Sequence, residues 1–547
     1  MAHGRPGGST QQDLRPNRTT TDPIFQPELM IPWLLLLSYF AVVYACLWKL
    51  FVKAGRKAWE GFVPFYNLYV WNQIIGKPWY WLILLLVPGI NLLMFIIMNV
   101  NLSIVFGERE FKQHLKAAFL PWLVIPQLAY QEKYTYVGPI AHEKRHRGLL
   151  GQWGDALLFA VIVATTFRVF TFEAFTIPTE SMEKSLLVGD YLFVSKLSYG
   201  ARMPMTPVTF PFTHHTLPLT TSTPSFTNWF SQPYRRLPGF GSPQIGDAVV
   251  FNFPEGDTVV ANYQNMSYYQ LARSFNRKDI ANGYFIVKDE MGRNRRVATG
   301  GLLIRPLDKK ENYIKRCVAV AGDSLQVKDG LVYVNGVPQP LRATGQYAYG
   351  FSITGVFNKK VLKETMDITT TDVNEQGDTA EMPLTASNAE KLKSFGNVSR
   401  MVRQNKEAGV YGAKDAWPIF PNDPRYNWSE DNFGPLWIPK AGATLQLTLE
   451  NLPLYRRAIE VYEHNTLEVK GGAIMINGTV ATSYTFKQDY YWMMGDNRHR
   501  SQDSRYWGFV PMDHVVGKAV LVWLTVDKEN GGFPMGIRWK RLFTLVK

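Results

Sequence analysis

The stretch TESMEKS at 179–185 sets a serine, Ser181, two residues after a threonine and three before a lysine. A serine hydroxyl attacks a carbonyl carbon only when a base takes its proton. A lysine can be that base only when burial or a neighbouring cation lowers its pKa. Ser181 and Lys184 formally spell S-x-x-K, yet the S-D-N and K-T-G companions of penicillin-binding enzymes occur nowhere in the chain, which argues against Lys184 as the base. A better-placed lysine lies in YIKRCVAV at 313–320. Strand alternation sends Tyr313, Lys315, Cys317 and Ala319 to one face and Ile314, Arg316, Val318 and Val320 to the other. Lys315 therefore has apolar or weakly polar company, and is either a snorkelling surface residue or a dehydrated base.

Two other stretches compete for attention. HEKRH at 142–146 matches the H-E-x-x-H zinc pattern, in which His142 and His146 share a helix face and Glu143 is the base. Lys144, Arg145 and Arg147 crowd it with positive charge that opposes a dication, so a solvated basic loop is the simpler reading. GDSL at 322–325 falls between two alternating runs where a turn is needed, which makes Ser324 a turn residue rather than a nucleophile.

These side chains need a frame, and 547 residues exceed what one core of about 250–300 residues holds. Apolar runs at approximately 30–51, 79–104, 114–130 and 154–174 approach the ~20 residues of a bilayer span. The polar tail before the first run, without a small-residue cleavage site, argues for a retained span rather than a removed leader. Lys49, Lys53, Arg56, Lys57 and Lys77 lie between the first two runs, and Lys133, Lys144, Arg145 and Arg147 between the last two. Positive charge favours the inside, which places everything after 174 outside. Pro121 and Pro126 leave a buried or interfacial helix as the other reading of the third run. A net charge of +14 with 16 Trp, 27 Tyr and 33 Phe suits anionic lipid better than nucleic acid, because the basic residues are scattered or gathered beside apolar segments. Cys46 and Cys317 are the only cysteines and imply no disulfide framework.

From 175 onward short alternating runs broken by Gly, Pro and Asp predict an all-β region. LQVKDGLVYVNGVP at 325–338 is echoed by LEVKGGAIMINGTV at 467–480, each reading as strand, tight turn, strand and an Asn-Gly turn. The echo is either a true structural pair or two ordinary hairpins. Between them 340–460 is more polar, with a helix predicted to begin near 385. Residues 201–236 read as an extended flap whose Phe210, Phe212, Phe226, Trp229 and Phe230 rest at a lipid interface or in a core. The expected architecture is an N-terminal α-helical transmembrane module of about four spans followed by a mostly β catalytic domain with an inserted α+β lobe. Its divisions are a polar tail at 1–28, a multi-span module at 29–150, an anchor span at 151–174, β domain at 175–340, the lobe at 341–460 and β domain again at 461–547.

IPTESMEKSLLVGDYLFVSK (177–196), GDAVVFNFPEG (246–256), YIKRCVAVAGDSL (313–325) and GDNRHRSQDSRYWGFVP (495–511) resemble, in order, the boxes of bacterial signal peptidase I, a membrane-bound Ser/Lys endopeptidase. The resemblance spans approximately 154–260, 311–340 and 465–525. It implies Ser181 as nucleophile, Lys315 as general base, and an oxyanion hole from the Ser181 backbone N–H and the Thr179 hydroxyl. It further implies that Ser501 orients the lysine, that Asp496, Asp503 and Arg505 brace the site, with Arg316 the partner of Asp496, and that Ile177, Met182, Leu186, Tyr313 and Ile314 line shallow substrate pockets. The substrates implied are signal-peptide-bearing preproteins with small residues before the scissile bond. Lipid bilayer and translocon are implied as neighbours, with the catalytic domain on the external side of the cytoplasmic membrane, and with no cofactor, metal or nucleic acid. The chain departs from the family where Lys184-Ser185 stands for a common Pro-Thr, and at Glu180, beside the nucleophile. WEGFVPFYNLYVWNQIIGKPWYW (59–81) resembles a small membrane module of some bacterial fusions, with no activity implied. Two alternatives stay open: a catalytically silent membrane protein that binds signal peptides or translocon components, and a zinc peptidase using His142 and His146.

Overall fold

The computed structural model describes residues 27–546 apart from 88–89, 140–148, 211–212, 218–219, 221–222, 230, 289–291, 369–372, 412–417 and 528–530. The alternating runs pair into an eight-stranded antiparallel sheet: β1 Phe172–Thr176, β2 Asp190–Ser195, β3 Ala248–Asn252, β4 Asn312–Ala319, β5 Tyr490–Met494, β6 Val510–Pro511, β7 Val515–Thr525 and β8 Thr544–Leu545. The order is β1-β2-β7-β3-β4-β5-β6, with β8 on β7. Alternation gives the sheet two apolar faces. Val250, Leu192 and Ile177 pack on one, and Val249, Phe251, Cys317 and Trp507 on the other. Such two-sided burial explains why β3 is buried throughout its length, with Ala248, Val249, Val250 and Phe251 in succession.

The echoed stretches form matching three-stranded meanders. Leu325 pairs with Val334 in the first and Leu467 with Ile476 in the second. The tight turns at Asp329-Gly330 and Gly471-Gly472 have positive φ at both residues, as the favoured two-residue hairpin turn requires. Each Asn-Gly turn is tied identically. The Ser324 N–H donates to Asn335 Oδ1 while Asn335 Nδ2 donates to Asp323 Oδ1, both at 2.8 Å. In the second copy Thr466 N–H and Asn477 Nδ2 make the corresponding bonds at 2.9 Å. The echo is thus a structural pair, and both copies feed one core around Phe433, Phe486 and Trp492. Ser324 stands exposed beside this turn, as its setting predicts.

Within 341–460 the chain does two things. Strands Gln346–Ile353, Asn374–Gln376, Thr379–Thr385 and Val398–Arg403 make a separate four-stranded sheet. Its core around Phe351, Leu362, Leu384 and Leu392 includes residues of helices Lys359–Met366 and Ala386–Lys393. The second helix begins where the sequence predicts, capped by Thr385 Oγ1 accepting the Asn388 N–H at 3.2 Å. Strand Phe433–Trp437 then returns to pair with the first meander. The described residues of 201–236 contain no helix and are tied by isolated bridges such as Thr209 to Phe226. Phe226 is buried there, Phe210 and Trp229 are exposed, and Phe212 and Phe230 lie outside the described residues.

The N-terminal expectation is corrected. Among the described residues no helix is long and apolar enough to cross a membrane, so the about four spans expected over 29–174 are not found. Helices α1 Pro27–Lys53, α2 Tyr66–Ile74, α3 Trp81–Leu84, α4 Ile90–Val105, α5 Phe111–Phe119, α6 Pro121–Tyr130 and α7 Leu149–Phe170 occupy this part of the chain. The second apolar run is divided between α3 and the 16-residue α4, and the third breaks at Leu120-Pro121 into α5 and α6 of 9 and 10 residues, short of the ~20 a span requires. Proline at the start of α6 removes a donor the first turn does not need, which suits a new helix rather than a continued one. Apolar side chains of α1, α2, α4 and α6 bury one another instead, with Leu47, Leu50, Trp71 and Leu102 fully enclosed. Lys53 Nζ closes this cluster by donating to the Leu128 and Gln131 carbonyls at 2.8 Å.

Candidate active site

Beyond β1 the backbone stays extended to Thr179, makes one helical turn over Glu180–Met182, and leaves it through Lys184 at φ 68°. The turn hangs over β4, so that Lys315 Nζ lies 2.5 Å from Ser181 Oγ. The ladder of β4 with β3 continues from Arg316 out to Asn312, whereas its pairing with β5 begins only at Arg316. Residues 312–315 therefore present an unpaired strand edge toward Ser181. Between that edge and 175–179 opens a cleft of about 320 Å³. It is lined by Phe175, Ile177, Pro178, Leu192, Val250, Tyr313 and Ile314, with Thr179, Asn312, Arg500 and Gln502 among the polar contributors.

Lys315 is 5 % exposed, and Ser181 is buried with it. Burial lowers the Lys315 ammonium from the ordinary 10.5 to about 8; Asp503 and Asp496 oppose that fall, and Arg505 adds to it. An amine with this pKa is partly neutral near pH 7 to 8. It can then take a proton from the hydroxyl it touches, which a lysine at its ordinary pKa rarely does.

Beneath the pair two buried ion pairs fix the loop after β5. Arg316 donates to Asp496 at 2.6 and 3.2 Å and to the Gly246 carbonyl at 2.8 Å. Arg505 meets both Asp503 oxygens at 2.8 Å, and Asp503 also accepts the Gly495 N–H at 3.0 Å. Burial alone would raise both carboxyls, but the guanidiniums hold them below the usual carboxylate range. Gly495 has no room for a side chain: a Cβ there would lie 2.2 Å from Ser501 Oγ and 2.6 Å from the Ser181 carbonyl.

The expected residues do not all fall where the family pattern puts them. Ser501 is buried against Gly495, but among the described residues its Oγ has no hydrogen-bond partner, Lys315 included. Thr179 is exposed on the cleft wall with a side chain that makes no cap bond. Ile177, Tyr313 and Ile314 line the cleft, whereas Met182 and Leu186 belong to the apolar core beneath it. His142 and His146 lie outside the described residues. Lys184 points away from Ser181 and contacts Met366 and Asp367.

Several contributors escaped the sequence reading. Asn497 donates its N–H to the Ser181 carbonyl at 3.1 Å and its Nδ2 to the Glu180 carbonyl at 3.3 Å. Arg500 pairs with Glu180 at 2.9 Å on the cleft rim, which accounts for the unusual glutamate. Both lie inside the box 495–511, where position in the motif was the available signal. Leu192 and Val250 carried only strand alternation, which marks a face and not a cleft.

A family profile described as signal peptidase, peptidase S26, matches residues 150–382 and 451–524, more than half of the chain. A family of unknown function (DUF5684) matches 59–139, around the stretch that resembles a small module. The chain is similar to a signal peptidase I of Haemophilus influenzae, 24% identical over 393 residues that cover 71% of this chain and 74% of the relative. A signal peptidase I of Buchnera aphidicola subsp. Schizaphis graminum is 23% identical over 395 residues, covering 71% and 79%. Another, of Buchnera aphidicola subsp. Acyrthosiphon pisum, is 56% identical over 52 residues, 10% of this chain and 17% of its own.

Proposed function

Because the chain belongs to the signal peptidase family, peptidase S26, and is a serine endopeptidase that cleaves signal peptides from preproteins, we propose that it does so with Ser181 as nucleophile and Lys315 as general base. The observation that carries this is the 2.5 Å contact between Lys315 Nζ and Ser181 Oγ in a buried setting.

Neutral Lys315 takes the Ser181 proton as Oγ bonds to the scissile carbonyl carbon. The carbonyl oxygen becomes an oxyanion that accepts from the Ser181 N–H and the Thr179 hydroxyl, donors of a kind worth roughly 3 kcal/mol each in the transition state. Collapse breaks the C–N bond, and the Lys315 ammonium returns its proton to the leaving amine. Water then attacks the acyl ester, giving its proton to Lys315, and Ser181 leaves reprotonated. Asp503, Arg505, Asp496 and Arg316 hold the loop that meets the Ser181 turn, and Ser501 fills the space beside Gly495.

The substrate strand is proposed to lie between 175–179 and the free edge 312–315, using main-chain bonds for affinity. Ile177, Tyr313 and Ile314 wall the pockets on this reading, with Met182 and Leu186 as their floor, which leaves room for small side chains before the scissile bond. A place for this reaction at the external face of the cytoplasmic membrane, beside lipid and translocon, is part of the same proposal. Exposed Phe210, Trp229, Trp59, Phe62, Trp79 and Trp122 suit contact with a lipid interface. Flotation with vesicles of anionic lipid tests that part, and protein that stays at the bottom of the gradient removes it.

The dyad is tested by cleavage of a preprotein bearing an Ala-x-Ala site, comparing the parent with Ser181→Ala and Lys315→Ala. Each substitution is expected to lower kcat by at least ~10³-fold, and a chelator is expected to leave the parent unchanged. A mutant that cleaves like the parent overturns the assignment.

A further inference from the structure

The residues after Ser181 are held by a part of the chain remote in sequence. Lys184 Nζ donates to the Met366 carbonyl at 3.4 Å, to the Asp367 carbonyl, and to Asp367 Oδ2 at 3.3 Å. These acceptors stand at the C-terminal end of helix Lys359–Met366, where carbonyls lack helical partners and the dipole favours a cation. The Lys184 side chain is only 12 % exposed. Next to it Ser185 Oγ lies 2.7 Å from Thr344 Oγ1, just before strand Gln346–Ile353. Lys184 and Ser185 are two of the three positions, with Glu180, at which the sequence leaves the family pattern.

The same lobe also grips the opposite side of the site. Its first strand, Gln346–Ile353, donates the Gln346 N–H to the Asp496 carbonyl at 2.9 Å and the Ala348 N–H to His499 Nδ1 at 3.0 Å. That contact makes Nδ1 the acceptor, so Nε2–H donates to Asp431 at 2.9 Å. The loop so held is the one whose Asn497 bonds the Ser181 carbonyl. Turn, lobe and loop therefore close a ring of contacts around Ser181. Lys184 is the charged link between turn and lobe, three residues from the hydroxyl.

We propose that Lys184 is a positioning residue that latches the Ser181 turn onto the inserted lobe 346–403 and so sets the distance from Ser181 Oγ to Lys315. This rests on the Ser181/Lys315 dyad. A hydrogen bond to a charged group is stronger than a neutral one, and a displacement near 1 Å costs about 10²-fold in rate. Lys184→Met keeps an unbranched side chain, one atom shorter, and removes the charge and its donors.

The test uses the full chain, with Lys184→Met, Lys184→Arg and Asp367→Asn compared by steady-state cleavage and by amide hydrogen exchange over 180–187. Lys184→Met is expected to lower kcat about tenfold or more with KM changed less than about twofold, to speed exchange over 183–187 about tenfold, and to leave the pH at which the rate rises near 8. Lys184→Arg restores most of kcat. Asp367→Asn loses less, about threefold, because two of the three acceptors are main-chain carbonyls that it keeps. Unchanged exchange in Lys184→Met overturns the proposal, as does an effect on KM alone or a Lys184→Arg no better than Lys184→Met. Should Lys184→Met fail to fold, Lys184→Arg and Asp367→Asn decide: parental exchange over 183–187 in Asp367→Asn, together with parental kcat, counts against the latch. A parent that does not cleave sinks the dyad instead, while exchange still decides the latch.

Discussion

Lys315 and Ser181 touch, yet they are held by opposite means. Lys315 sits in a strand whose ladder with β3 continues on both sides of it, with Val249 directly opposite. Ser181 sits on a single helical turn without a ladder, steadied by Asn497 on its carbonyl, by Arg500 through Glu180, and by the contacts of Lys184 with the lobe. A ladder fixes position through many small cooperative bonds, so loss of one neighbour shifts the base little. A turn tied by a few long side chains moves when any of them is lost. The proposed base is thus a property of the sheet and the proposed nucleophile a property of distant segments, and substitutions around the first should act on stability, those around the second on rate.

That contrast breaks most severely where both supports meet. Arg505→Met leaves Asp503 buried and unpaired, and should destabilise the fold by about 3–5 kcal/mol, seen as a large fall in the denaturant midpoint; a loss below 1 kcal/mol would show that the pair is dispensable. Next comes Gly495→Ala, whose Cβ must push on the Ser181 carbonyl and Ser501. It is expected to cut kcat about 10²-fold and to cost about 1–3 kcal/mol of stability from overpacking, and a parental kcat would mean that the turn tolerates displacement after all.

On the sheet side the expected effect is smaller and depends on pH. The folded pKa of Lys315, about 8, lies below the unfolded 10.5, so between these values the unfolded chain binds more protons. Stability gained from this group therefore rises with pH from about 8 to 10.5, and below 8 the buried charge is a cost. Lys315→Met should be more stable than the parent by roughly 1–3 kcal/mol at pH 7, with the gap closing above pH 10; an equal gap at both pH values would count against the buried-charge account. In the active parent kcat/KM should rise through about pH 8 as the base becomes neutral. The smallest effect is expected at the lobe itself: Thr385→Ala removes a helix cap and should cost about 1 kcal/mol, measured by exchange within 386–393.

Much of the site was legible from residues near one another in sequence. Alternation placed Lys315 on a face with Tyr313 and Cys317, and the paired faces of β3 and β4 follow that pattern. The Asp-Gly, Gly-Gly and Asn-Gly pairs announced the meander turns because only such residues take positive φ cheaply. What local pattern misjudged was the N-terminal region. Runs of apolar residues look alike whether they meet lipid or one another, and here the end of α3 at Leu84 and the break at Leu120-Pro121 leave shorter helices.

By itself the sequence determined the strands, the turns and the identity of a serine and a lysine able to form a dyad, since these depend on residue type and on spacings of a few positions. Only the tertiary structure decided that residues 134 apart meet at 2.5 Å, that Lys184 serves the lobe and not the serine, that Ser501 faces Gly495, and that 312–315 is a free edge. Each of these depends on which distant segments pack together, and that is set by the summed burial of two apolar faces rather than by any short pattern.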